Sequence, residues 1–147
     1  MAALHKAVAT LRVVGDDLDP DEVSQLLGAQ PSRSERKGQA LQTRSGHVRT
    51  APTGVWRLDA PATEPEDFDR QVATLLRALT PDLGTWQRLA ARYRVDLFCG
   101  WFMRGGNEGV DVAPETLLAL GSRHIKLGLD IYGPDNEKSS VGDVPVA

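Results

Sequence analysis

The chain has 147 residues, 41% hydrophobic and 25% charged, the size and balance of one domain around a single core. Its 17 basic residues against 20 acidic ones, a formal net charge of −3, supply no chain-wide basic field for nucleic acid, and its one cysteine excludes an internal disulfide framework or a multi-cysteine zinc site. No sustained apolar run precedes Arg12 as in a secretory signal, and no stretch approaches the roughly 20 apolar residues of a membrane-spanning helix, so a cytoplasmic protein without a membrane partner is expected.

From Ala7 to Val14 the chain alternates with the period of a strand: Ala7, Ala9, Leu11 and Val13 lie on one face and Val8, Thr10, Arg12 and Val14 on the other. Asp19 then reads as a helix N-cap with Pro20 in the first turn, Asp21 and Glu22 on the positive end of the dipole, and Gly28 as the left-handed C-terminal residue. After Pro31 the chain turns polar and locally basic, with Arg33, Arg36, Lys37, Arg44 and Arg49 against Glu35. A short edge strand at Ser32 to Lys37 and a mobile basic loop at about 38–53 are expected there.

Alternation returns at Gly54 to Leu58, a strand anchored by Trp56. Phe68, Val72, Leu75, Leu76 and Leu79 form one face of a helix that stops before Pro81, and Leu83, Trp86, Leu89, Ala90 and Tyr93 suggest a second. Arg94 to Phe102, apolar at nearly every position, is the strongest strand and calls for cover on both faces or a central place in the sheet. A turn at Gly105 to Gly109, a helix opened by Pro114 and closed at Leu120-Gly121, and a strand at His124 to Tyr132 follow, so that the first strand–helix pattern, ending at Leu27-Gly28, recurs. Residues 1–132 are expected to form one domain and 133–147 a disordered polar tail.

The order β-α-β-β-α(α)-β-α-β matches a ferredoxin-like βαββαβ core extended by a further helix and strand. The expected fold class is α/β of the α+β kind: a two-layer sandwich with a mixed or antiparallel sheet and helices on one face.

Little of this carries chemistry. Asp17, Asp19 and Asp21 begin like a calcium loop, but Glu22 stands where the turn glycine belongs and Gly28 where the bidentate Glu belongs, so helix capping explains them. His5, His47 and His124 have no partner at metal-ligand spacing, and Cys99 lies in the most apolar strand, where a thiol is inert. The Gly105-Gly106-Asn107-Glu108-Gly109 segment lacks the Lys-Ser/Thr of a phosphate loop, and no serine sits in a Gly-x-Ser-x-Gly elbow. No catalytic residue, metal or cofactor is therefore assigned. Arg104, Asn107, Glu108 and His124, near strand ends, are the least implausible polar group for an enzyme.

The run Leu11-Arg12-Val13-Val14-Gly15-Asp16-Asp17-Leu18-Asp19-Pro20-Asp21-Glu22-Val23, with Leu26-Leu27-Gly28, Pro31, Lys37-Gly38, Trp56-Arg57-Leu58 and Leu129-Asp130-Ile131-Tyr132, resembles the bacterial family known as domain of unknown function 4279. The resemblance spans Leu11 to Tyr132. It implies a small stand-alone bacterial cytosolic protein and brings no catalytic residues with it.

A complete core recipe without convergent titratable groups points to a non-enzymatic binding or protein-interaction module, of which a role like that of an immunity protein is a special case. Its partner is expected to be an unidentified protein. The candidate contact residues are Asp16, Asp17 and Asp21 in the acidic segment, Arg33, Arg36 and Lys37 in the basic one, and Trp56. Nucleic acid bound through Arg33 to Arg49 is the less favoured alternative, because no aromatic residue interleaves those charges. Pairing of an open edge strand with a second copy is a further option.

Overall fold

In the computed structural model, which describes residues 2–134, the alternation that begins at Ala7 becomes the middle strand of a five-stranded sheet. The elements are β1 (Ala2–Ala3), β2 (Lys6–Gly15), α1 (Pro20–Leu27), β3 (Arg33–Glu35), β4 (Ala40–Gln42), β5 (Val48–Thr50), β6 (Gly54–Asp59), α2 (Phe68–Arg77), α3 (Leu83–Arg92), β7 (Arg94–Phe102), β8 (Glu108–Gly109), α4 (Pro114–Ser122) and β9 (Lys126–Tyr132). The main sheet has the order β3-β6-β2-β7-β9. Its first four strands pair antiparallel throughout, which is the ferredoxin-like arrangement, and β9 is added parallel to β7. The strand expected to need a central place, β7, lies between β2 and β9.

Period-two side chains decide which face is buried. Ala9, Leu11 and Val13 of β2, Trp56 of β6 and Val95, Leu97, Cys99 and Trp101 of β7 all enter the core. They meet Val23 and Leu27 of α1, Phe68, Val72 and Leu75 of α2, Trp86 and Leu89 of α3 and Leu120 of α4. All the helices thus cover one face, as the two-layer reading requires. Phe68 meets Trp101 edge-on, with ring centroids 5.7 Å apart. Burial in this core pushes the Cys99 thiol up to about 12, so the lone cysteine stays protonated.

The helix ends follow their caps. Asp19 accepts the Asp21 N–H at 3.0 Å, and Gly28, at φ 80°, turns the chain out of α1 while its N–H bonds the Ser24 carbonyl. The recurrent pattern diverges at its second copy. Helix α4 runs past the Leu120-Gly121 expected to close it, through to Ser122, and His124, at φ 58°, makes the left-handed turn. After α1 the chain re-enters the sheet at β3, parallel to β2 but with β6 inserted between them, whereas the β7-α4-β9 crossover sets β9 directly beside β7.

The segment expected to be a mobile loop at about 38–53 instead contains an antiparallel hairpin, β4 with β5, with Ala40 opposite Thr50 and Gln42 opposite Val48. Gly38 and Gln39 tie its base to Ala51. Its exposed polar side chains hid it, because a hairpin that buries little shows no apolar alternation. The short edge strand expected from Ser32 is β3. A second addition is the parallel pair of β1 with β8, in the segment read as a turn. The expected tail lies, from residue 135 onward, outside the described residues. Among the described residues no helix is long and apolar enough to cross a membrane.

Candidate functional site: the uncovered face of the sheet

Alternation also dictates what faces away from the helices. One row crosses the whole sheet: Arg33 on β3, Arg57 on β6, Arg12 on β2, Asp96 on β7 and Lys126 on β9 stand side by side. Arg94 lies at the end of β7 on the same face, opposite Val14. Glu35, Asp59 and Asp130 share the same outward phase, so the face carries both signs, with its arginines concentrated on β3, β6 and β2.

Asp96 is committed. Its carboxylate takes a two-pronged bond from Arg12, Nε to Oδ1 at 2.8 Å and Nη2 to Oδ2 at 2.7 Å, and this bond holds the Arg12 guanidinium above its ordinary pKa. The same guanidinium lies 4.7 Å from the centre of the Phe98 ring. Arg57 is different. Its Nε is buried without an acceptor, and burial, reinforced by neighbouring Arg33, pushes its pKa down. The folded protein therefore holds a guanidinium where its charge is disfavoured.

Arg57 stands between two hollows. One, of about 400 Å³, lies between the β4–β5 hairpin and the sheet and is walled by Arg33, Glu35, Leu41, Arg49, Val55 and Arg57. The other, of about 590 Å³, runs over Arg12, Val14 and Arg57 to Arg94, Asp96, His124 and Lys126. Both are lined by Val55 and Arg57. Arg49 in the first approaches Glu35 at 3.6 Å. The aromatic rings of this face are already occupied: Phe98 by Arg12, and Phe102 by Tyr132, stacked at 4.9 Å and 13°.

The residues singled out from sequence fall elsewhere. Asp16 pairs with Lys37 at 3.1 Å, while Arg36 pairs with Asp19 at 2.9 Å and Asp21 at 3.1 Å. Glu22 pairs with Arg92 at 2.6 Å. The acidic and basic candidates are thus brought together, but as one another's partners, and neither presents a field of one sign. Asp17 is exposed beside them. Trp56 is wholly buried and donates its indole N–H to Ser24 Oγ at 3.0 Å, binding β6 to α1, so it lines no surface. Only Arg33 of the seven belongs to the uncovered face.

The enzyme group is split. Glu108 accepts the backbone N–H groups of Arg104, Gly105 and His5, and Arg104 Nη2 lies 3.1 Å from His5 Nε2. Those donors, Arg104 first, hold the Glu108 carboxyl below the usual carboxylate range. His124 sits at the opposite end of β7 and β9, roughly 20 Å away by strand rise, and Asn107 is exposed in the turn. Among the described residues no three His, Cys, Asp or Glu side chains converge as metal ligands.

A family model described as a domain of unknown function, DUF4279, matches residues 5–134. The chain belongs to this family. No curated protein and no solved structure matches it. In this DUF4279 domain the uncovered face was partly visible in advance: Arg12 and Arg57 each interrupt an apolar alternation on its outward phase. What sequence could not supply was register, which alone brings Arg33, Arg57, Arg12 and Lys126 into one row.

Proposed function

We propose that this protein is a non-enzymatic binding module that docks an acidic segment of another protein on the uncovered face of its sheet. The observation that carries the reading is Arg57, a half-buried guanidinium whose Nε lacks an acceptor and whose neighbours in its row are Arg33 and Arg12. A partner carboxylate meeting the outer nitrogens of this guanidinium would offset its repulsion with Arg33 and Arg12. One feature favours protein over nucleic acid: the rings that could stack on bases already stack on protein groups. A reducing cytoplasm of the bacterial kind belongs to this reading, and a single cysteine kept in the core fits it.

The test is fluorescence anisotropy of a labelled Asp/Glu-rich peptide against the wild-type chain, Arg57→Ala and the hairpin-turn control Arg44→Ala, over a range of salt. We expect saturable binding that weakens with salt, falls on the order of tenfold or more in Arg57→Ala and is retained by Arg44→Ala. Absence of peptide binding at low salt, equal binding by Arg57→Ala, or preference for a single-stranded oligonucleotide of matched length would overturn the reading.

A further inference from the structure

The outer edge of β9 is open: the strand pairs only with β7, and no other described segment covers its far side. The Tyr132 carbonyl accepts the Met103 N–H, so the backbone of Tyr132, and by alternation that of Asp130, Gly128 and Lys126, is directed at β7. The N–H and C=O groups of Leu127, Leu129 and Ile131 are then directed outward. Leu129 and Ile131, in register with the buried Cys99 and Trp101, lie on the helix side of the sheet, yet they are 42% and 55% exposed. Leu117 and Leu118 of α4, the helix that packs on β9, are also exposed. An edge this apolar and this long is a pairing surface unless something blunts it.

We infer that the occupant is a second copy of this chain, paired antiparallel through β9 about a two-fold axis at Gly128. The argument is charge and register. Such pairing sets Lys126 opposite Asp130 of the second copy, twice by symmetry, and Leu127 opposite Leu129 of the second copy, whose outward backbone groups then exchange both hydrogen bonds. Lys126 has no ion pair among the described residues, and Asp130 meets only the Tyr132 hydroxyl, at 2.9 Å. Centring one step further along the same phase, at Asp130, would set the two Asp130 carboxylates against each other. At the axis Gly128 has open space where a side chain would stand. Two sheets joined this way present their uncovered faces on the same side, so that an acidic partner would meet two copies of the site at once.

Analytical ultracentrifugation of the full chain, with mild oxidation of Gly128→Cys, tests this. Cross-axis Cα atoms at a non-hydrogen-bonded antiparallel site are about 4.5 Å apart, within the span of a disulfide, and native Cys99 is buried and cannot compete. We expect a concentration-dependent mass of twice the monomer and a covalent dimer of Gly128→Cys. Lys126→Asp and Asp130→Lys should each shift the chain to monomer, and the double exchange should restore the dimer. A monomer at all concentrations without cross-link would overturn the proposal and leave the edge to a different protein. So would a dimer indifferent to both charge changes, which would use another surface. Lys126 also lines the hollow beside Arg57, so the peptide titration is read on Arg57→Ala alone and the oligomer on the Gly128→Cys cross-link, and the two readings stand or fall separately.

Discussion

At the scale of single residues, the uncovered face sets stability against binding. Arg57 is held where burial and Arg33 disfavour its charge, so removing the charge while keeping the stem should cost nothing. We predict that Arg57→Met leaves thermal stability unchanged or raised, by up to about 1 kcal/mol, while weakening salt-sensitive peptide binding as Arg57→Ala does; a clear loss of melting temperature would show that Arg57 is structural. Asp96 is the opposite case, since it satisfies both prongs of Arg12 within a half-buried pair. Asp96→Ala should destabilise by about 1–3 kcal/mol in a urea titration, because Arg12 would be left beside Arg57 without an acceptor. Trp56 shows how far residue type can be read without neighbours. Its burial was legible from its place in an alternating strand, but its hydrogen bond to Ser24 was not, because a helix and a strand 32 positions apart had to be docked first. Gly54 was equally opaque. A Cβ there would stand 2.7 Å from the Gly15 carbonyl oxygen and 2.9 Å from Leu18 Cβ. The closeness belongs to the antiparallel meeting of β2 and β6, not to either strand alone.

Among elements, what could be read from sequence sorts by how much apolar surface each one buries. The strands β2, β6 and β7 and the helices α1 to α3 carry the core in their own period and could be placed from sequence to within a few residues. The β4–β5 hairpin, whose residues are nearly all exposed, could not, and neither could the two-residue pair of β1 and β8. The hairpin is held by backbone bonds at its base and by Arg49 to Glu35, a long 3.6 Å pair with a half-exposed arginine that contributes little. We therefore predict that replacing residues 40–50 by a short Gly-Ser linker leaves the circular dichroism of the core and the melting temperature within a few degrees of wild type. Peptide affinity should fall, because the excision removes Leu41 and Arg49 from the wall of the hollow beside Arg57. Loss of cooperative melting in that variant would instead make the hairpin part of the folding unit.

The molecule as a whole combines a ferredoxin-like sheet with a surface of neutralising ion pairs, and its acid stability follows from which carboxyls those contacts shift. Lys37 lowers Asp16, the Asp21 N–H lowers Asp19, the Thr85 hydroxyl lowers Asp82 and the Arg104 N–H lowers Glu108. Each binds protons less readily folded than unfolded. Its stabilisation is therefore complete above the unfolded carboxylate value of about 4 and is lost as pH falls through the folded one. Glu66 has the reverse sign: burial raises its carboxyl despite the Phe68 N–H it accepts, with Asp67, Asp69 and Asp111 adding repulsion. Its charge opposes folding at neutral pH, and the opposition vanishes as pH falls through its raised folded value. Four lowered groups against one raised group give a melting temperature that is level near neutrality and declines below about pH 4. Glu66→Gln separates the contributions, since the amide can still accept the Phe68 N–H without the charge. It should raise the melting temperature by about 1–3 °C at pH 7 and by nothing measurable at pH 3, where the native carboxyl is itself protonated. An equal shift at both pH values would trace the effect to packing at the start of α2, and a decline beginning well above pH 5 would mean that groups other than these carboxyls govern the acid limb.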